Sequence, residues 1–580
     1  MDNTENANGL APVDRPSRVS RRAFFAAATA GAAGVALGVT TITAAQAADW
    51  DEETDVVVVG SGGAALAGAA AALMGGAKVS IYEKGPVAGG TTAKSGGQFW
   101  IPNSPYMQEQ GMADPKPDAL KYMARLAFPH LYKPNDPTLG IPQHNYDMIS
   151  AYYDNAATVI KTLNDTGALK SSMSHSWDGQ ATPDYFSHLA EDKAPRGRTT
   201  DPQNTDGGPG YGGDIIRMLG DYANSKGVPV NTDIQVTRII MDENRQVVGV
   251  EIANSDDNTT KKIHAKKGVI FGSGGFTQNV EMRYNYLRMP VLGGCAVPTN
   301  QGDLVTMSIE IGAKLGNMNE AWLQQEILEE VLQFSSVPSG AWFLGGDSMI
   351  AVNKYAQRLY DEKFVYNERT RTHLMWSPTK SEYTNLYQFM IFDDHAIAYG
   401  GGLLPPPGSD LPSYVIKADT LEDLAKGIDD RLTSLEDKIG HYRLDSTFVD
   451  GLKATITRYN GFAETGKDLD FQRGEAPIDK HFHKPGTNND KPNPWMYPIA
   501  DKGPYYAIIL APGSLDTKGG PVTDITGRVL DTKEQVIDGL YASGNCSGSP
   551  TGQAYWGAGG TLGPAITFGF LAGQHAAKRA

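Results

Sequence analysis

The sequence predicts an α/β fold built around a parallel sheet, on three observations. Asp55–Val59 is a short β-branched run, long enough for one fully buried strand. It leads directly into a glycine turn, an Ala-rich stretch of helical character to about Met74, and a second strand at Lys78–Tyr82. The composition is that of a packed chain: 580 residues, 40% hydrophobic and 20% charged, enough for two or three domains.

Each element of the opening unit has a physical reason. Gly60 permits the tight turn, and Gly62 lets a pyrophosphate approach the backbone. Ser61, Gly63 and Ala64 complete the turn, and the helix begins there with free N–H groups and a positive dipole end. Glu83 stands 23 residues after Gly60, where a carboxylate can accept hydrogen bonds from ribose hydroxyls, and Lys84 is next to it. The third glycine of such a turn is replaced by Ala65, which loosens the argument for close helix–strand packing. Strand, glycine turn, helix, strand and acid together predict a Rossmann-like dinucleotide site.

Composition also removes several classes. With 51 basic and 66 acidic side chains the formal charge is −15, so a phosphate backbone is repelled and nucleic acid is no partner. Two cysteines, Cys295 and Cys546, are too few for a disulfide scaffold or a thiolate cluster. His481-Phe482-His483 and Asp393-Asp394-His395 lack further ligands at metal spacing, so no metal site is assigned. The acidic stretch Leu421–Asp437 carries Leu and Ile at helical spacing and is read as a solvated helix.

Residues 1–47 are set apart from the fold. Ser20-Arg21-Arg22-Ala23-Phe24-Phe25 looks like a twin-arginine export signal, followed by an uncharged stretch and by Ala45-Gln46-Ala47, a small-x-small cleavage pattern. The reading is a chain handed to the twin-arginine machinery and placed in the periplasm or beyond, with no stable membrane span after cleavage. Retention of this segment as an anchor is the other reading.

The segments beyond the first fingerprint indicate FAD. Gly89–Gly97 resembles the second fingerprint of flavoproteins related to fumarate reductase, which implies Gly90, Thr91, Thr92, Ser95, Gly96 and Gly97 as cofactor contacts. Val269–Phe276 resembles the later strand and turn of that group and implies Gly274. Gly539–Asn545 resembles its strand returning to the flavin and implies Gly544 and Asn545. No second NAD-type fingerprint is present, so electrons should leave to an external acceptor, a quinone or a soluble carrier.

The C-terminal Gly552–Pro564 segment resembles the 3-ketosteroid Δ1-dehydrogenases, with Tyr555 four residues before Gly559. The resemblance implies that the Tyr555 hydroxyl and the Gly559 amide hold the ketone oxygen and stabilise developing enolate charge. Thr561 and Leu562 would open a helix facing the flavin pyrimidine. Thr182–Phe186 and Val352–Tyr366 resemble two further family segments, which implies Tyr366 as the base for the α proton and Tyr185 as its hydrogen-bonded support. Asp361, Val365 and Trp556 depart from the family pattern and put the pocket's shape in question. For any one tyrosine a core aromatic is the plain alternative.

The resemblance covers Asp55 to His575 and is weak at 324–347 and 417–494. It implies an FAD-binding domain from both chain ends, 50–320 and 500–580, and an inserted α+β substrate cap at 321–499. Gly503–Ala507 is read as the strand re-entering the first domain, and Asp516–Gly520 as the loop returning towards the flavin. The function expected is FAD-dependent dehydrogenation of an apolar cyclic ketone, a 3-ketosteroid, with hydride passing to flavin N5; enone reduction uses the same groups backwards. A fumarate-reductase-like enzyme for a small unsaturated carboxylate is the alternative, and a non-catalytic flavin electron relay is the alternative of another class.

Overall fold

The computed structural model describes residues 49–580, apart from Met289, Ser339 and Thr487. The export motif expected at residues 1–47 lies outside the described residues. In chain order the elements that build the site are β1 (Glu52–Val59), α1 (Gly63–Met74), β2 (Val79–Tyr82), β3 (Thr260–Phe271), β4 (Ala321–Ile327), α2 (Tyr366–Arg371), β5 (Gln388–Asp393), β6 (Tyr505–Thr517), β7 (Val536–Ala542) and α3 (Leu562–Lys578).

The larger sheet runs Arg528–Leu530, β7, β3, β1, β2 and Val230–Asn231, with a hairpin of Ile234–Met241 and Val247–Asn254 hydrogen-bonded to β3. Its centre is parallel: Val57 stands opposite Ser80 of β2 and Val269 of β3, and Leu540 of β7 opposite Val269. Val56, Val57 and Val58 are fully buried, as a parallel strand covered on both faces must be. The α/β core expected from the sequence is therefore present, and chain ends some 480 residues apart meet in it.

Small residues explain how α1 and α3 pack. A Cβ on Gly569 would lie 2.3 Å from the Ala64 carbonyl oxygen, and one on Gly573 2.0 Å from that of Gly68. The helices touch backbone to backbone, which brings both N-termini to one edge of the sheet. The missing third glycine is compensated from across the contact. A Cβ on Gly272 would meet the Ala65 N and Cα at 2.5 and 2.8 Å, so Gly272 supplies the clearance that Ala65 does not.

A second sheet of five strands holds β4, β6, β5 and Met349–Val352, with Ile416–Ala418 beside β6. The strand expected to re-enter the first domain at Tyr505 lies here instead. β6 pairs with β5 from Tyr505 to Leu510 and with β4 from Leu510 to Thr517, so only its far end reaches the cofactor side. Its residues are almost all buried, and a buried edge would leave backbone groups unpaired. The acidic helix Leu421–Ser434 is solvated on one side only; Leu421, Leu424, Ala425, Ile428 and Leu432 are buried in the core beside this sheet. Among the described residues no helix is long and apolar enough to cross a membrane.

Candidate active site

The N-termini of α1 and α3 open on a cleft at the carboxyl ends of β1 and β3. On its wall stand Gly60, Ser61, Gly62, Gly63, Ala64, Glu83, Lys84, Gly90, Thr91, Thr92, Gly274, Gly544, Asn545, Thr561 and Leu562. Ser61 donates to Glu83 at 2.6 Å and accepts from the Gly89 amide at 2.7 Å, so one hydroxyl ties the first fingerprint to the acid and to the second fingerprint. The other Glu83 oxygen accepts from the Gly85 amide at 2.7 Å. Thr92 Oγ1 accepts from the Gly63 amide at 3.1 Å, and Lys84 is paired with Asp303 at 2.6 Å.

Ser95, Gly96 and Gly97, expected as cofactor contacts, are not on this wall. Ser95 Oγ donates to the Thr92 carbonyl at 2.7 Å and its carbonyl accepts from Gly212 at 3.0 Å, so the chain there turns towards the Gly212–Ser225 helix. Gly97 is pressed against Tyr211, and Gly96 faces the Trp342 ring instead.

The residues present fit a flavin dinucleotide. Glycines leave open backbone where phosphates must approach, and two helix N-termini converge on the same cleft. Ser273 Oγ and Thr561 Oγ1 are buried there without a hydrogen-bond partner, which a polar ligand would supply. Asp516 organises the floor. It accepts from the Gly275 amide at 2.9 Å, from Asn300 at 2.7 Å and from Asn545 at 3.1 Å, and burial raises its carboxyl above the ordinary range. The sequence places Asp516 in a returning loop and Ser273 in the Val269–Phe276 turn but gives neither a role, and nothing in it marks Asn300 or Asp303. Both are common residue types in no recognisable spacing.

Next to the cleft the structure brings together three phenols from distant segments. Tyr185 and Tyr366 are hydrogen-bonded through their hydroxyls at 3.1 Å, and their rings lie 5.2 and 5.7 Å from that of Tyr555. Burial raises all three above the usual phenol range. Trp322 joins this cluster to the cleft: its ring is 4.8 Å from Tyr555, and its Nε1 donates to Asn545 at 3.0 Å. Gly559 has φ +90°, and a Cβ there would sit 2.3 Å from Phe99 Cα. Its carbonyl accepts from Trp100 and Gly563, while among the described residues its amide has no acceptor.

Trp556, a departure from the family pattern, has a structural task. Its ring stacks with Tyr152 at 5.9 Å, and its carbonyl accepts from the Tyr185 amide at 3.2 Å and the Tyr122 hydroxyl at 2.5 Å. Tyr185 is thus held to the segment that carries Tyr555. The residue before it, Asp184, accepts from Trp100 Nε1 at 2.7 Å and is paired with Arg198. Arg198 is wholly buried and also binds Asp114 at 2.7 Å and Asp192 at 2.9 Å. Arg198→Met should leave three buried carboxylates without their cation and lower stability by about 3–5 kcal/mol. Urea unfolding of the holoprotein checks this; an unchanged midpoint would mean that the carboxylates are held otherwise.

The chain matches the family described as FAD binding domain over residues 55–562. It is 30% identical to the 3-oxosteroid 1-dehydrogenase of Mycolicibacterium smegmatis, covering 90% of this chain and 96% of that one. It is 29% identical to the 4-oxocyclohexanecarboxylate 2-dehydrogenase of Sinomonas cyclohexanicum, covering 91% and 93%. Among solved structures, the 3-ketosteroid delta1-dehydrogenase of Sterolibacterium denitrificans, in complex with 1,4-androstadiene-3,17-dione, is similar at a TM-score of 0.76, with 28% identity and coverage of 91% and 99%.

Proposed function

Since this chain belongs to the 3-ketosteroid Δ1-dehydrogenase family of FAD-binding flavoproteins, we propose that it desaturates a 3-ketosteroid between C1 and C2. The observation that carries the reading is the buried trio of Tyr185, Tyr366 and Tyr555 set beside the cofactor cleft. Tyr555 Oη and the Gly559 amide receive the ketone oxygen, and two fixed donors stabilise the charge that develops as the α C–H is acidified. Tyr366 takes the α proton as its phenolate, whose charge the hydrogen bond from the Tyr185 hydroxyl stabilises. The apolar rings of Trp322, Phe364 and Phe482 around them exclude water and suit a flat hydrocarbon skeleton. Bound FAD supplies the acceptor for the β hydride. Residues 50–320 and the chain from Asp516 on hold the cofactor in this proposal and the inserted segment, with the start of β6, covers the substrate, electrons leaving to a quinone or soluble carrier. In this proposal the mature enzyme acts outside the cytoplasm, a reading supported by the Ser20–Phe25 and Ala45–Ala47 motifs.

Anaerobic mixing of the holoenzyme with a panel of 3-ketosteroids and small unsaturated acids tests this. Saturated or Δ4 3-ketosteroids are expected to bleach the oxidised flavin band within the turnover time. Reoxidation of reduced enzyme by unsaturated acids alone, with no response to any ketosteroid, would overturn the assignment.

A further inference from the structure

Three acids stand on the wall of the cofactor cleft, Glu83, Asp303 and Asp516. Asp303 is neutralised by Lys84 at 2.6 Å. Glu83 follows β2, where the acid of a Rossmann-like unit holds the ribose, so the other end of the dinucleotide extends away from it along the cleft. Asp516 marks that other end. It accepts from Asn545 Nδ2 at 3.1 Å, Asn545 Oδ1 accepts from Trp322 Nε1 at 3.0 Å, and the Trp322 ring lies 4.8 Å from that of Tyr555.

The charge on Asp516 is built in. Its Oδ2 also accepts from the Gly275 amide at 2.9 Å and Asn300 Nδ2 at 2.7 Å, and its Oδ1 from the Thr517 amide at 2.9 Å and Thr277 Oγ1 at 3.1 Å. Neutral donors thus converge on both oxygens of a side chain that is wholly buried. Burial pushes the carboxyl up, and these donors pull it back down. A proton on Oδ2 would point at a donor, so the arrangement selects the carboxylate. Lys518, two residues on, is engaged elsewhere: its Nζ donates to the Ala554 carbonyl at 2.6 Å and sits 3.8 Å from the centroid of the Trp322 ring.

We infer that Asp516 sets a fixed negative charge against the reacting end of bound FAD and thereby lowers its reduction potential. Two electrons and one proton taken up by the ring leave it one charge more negative, and in a dry cleft an anion alongside opposes that gain. The α3 N-terminus acts the other way, so the carboxylate offsets part of the stabilisation which that helix end gives the reduced ring. A flavin so poised parts with its electrons readily, which suits an enzyme that regains its oxidised form by delivering them to an external acceptor. The inference rests on FAD in this cleft and on no particular ketone.

Anaerobic reductive titration of the holoenzyme against a reference dye, with no substrate present, tests it. Asp516→Asn removes the charge and keeps most of the bonds: the amide oxygen can replace Oδ2, and Nδ2 can donate to Thr277 Oγ1, whose own hydrogen turns to Ser514 Oγ at 3.1 Å. Its midpoint should rise by about 30 mV or more, which for two electrons is about a tenfold change in the oxidised-to-reduced ratio. Flavin titration of the apoprotein should show reduced FAD binding about tenfold tighter than to wild type, with oxidised FAD changed by less than about threefold. Asp516→Ser, neutral but smaller, should shift the midpoint in the same direction, as a change of shape would not. If one variant fails to hold FAD, the other decides. An unchanged or lowered midpoint, or loss of FAD from both variants, would overturn the inference and leave Asp516 as part of the floor alone. The steroid panel stands apart: if no ketosteroid bleaches the flavin while the midpoints rise, the ketosteroid reading falls and this inference holds.

Discussion

Tyr366→Phe is expected to lower kcat for ketosteroid dehydrogenation by about 10²–10⁴, the range for a lost general base, with little change in KM. The substitution removes one oxygen and keeps the ring that packs 5.7 Å from Tyr555 and 6.3 Å from Phe482, so binding surface and fold stay as they are. The pH dependence should carry a sign as well. Burial, then the neighbouring phenols, push the Tyr366 hydroxyl well above its ordinary value, so only a small phenolate fraction exists at neutral pH. That fraction rises tenfold per pH unit below the pKa, so kcat/KM of the wild type should climb with pH through the neutral range and beyond. The residual activity of Tyr366→Phe should not. Stopped-flow reduction of the flavin isolates the step from reoxidation by the acceptor. A variant that reduces flavin at the wild-type rate, or a wild type with a flat profile, would assign the proton to another group.

The division between what the sequence discloses and what it withholds tracks the range of the interactions. The first fingerprint is legible because its physics is local: Gly60 turns, Gly62 and Gly63 open the helix, and Glu83 ends the next strand, all within one βαβ unit. Its weak point, Ala65, cannot be resolved from the segment alone, because the clearance comes from Gly272 two hundred residues later. The tyrosines emerge by resemblance to family segments, yet each is as plausible as a core aromatic. Only tertiary packing sets Tyr185 3.1 Å from Tyr366, and the sequence carries no trace of that distance. Ser95, Gly96 and Gly97 lie off the cleft wall for the converse reason. Small residues suit both a cofactor contact and a tight chain crossing, and here Ser95 and Gly97 serve the crossing at Tyr211–Gly212. Strand β6 is misplaced because an apolar run pairs equally well with either sheet until its partners β4 and β5 are known.

Gly60→Ala and Gly62→Ala should separate two ways in which one turn can fail. Gly60 has φ +97°, a region that costs an L-residue roughly 1–3 kcal/mol, and a Cβ there would lie 2.7 Å from the Gly272 carbonyl oxygen and 3.1 Å from Ser273 Cα. Every obstructing atom is backbone of the strand–turn that forms the opposite lip of the cleft, so the two lips must part. Strain and displacement together should weaken FAD binding by about a hundredfold or more, near 3 kcal/mol, and the protein should purify largely without its yellow cofactor. Gly62 is the contrast: its φ is −72°, and the nearest atom to an added Cβ is Thr92 Oγ1 at 3.5 Å, an ordinary contact. Gly62→Ala should therefore fold with the thermal midpoint of wild-type apoprotein. Its methyl nevertheless projects into the space between the α1 N-terminus and Thr92, where the pyrophosphate must approach the backbone. Its loss of affinity should appear in flavin titration alone, whereas Gly60→Ala should lower apoprotein stability too. Identical behaviour of the two variants, with FAD retained in both, would mean that the dinucleotide does not cross this turn at all.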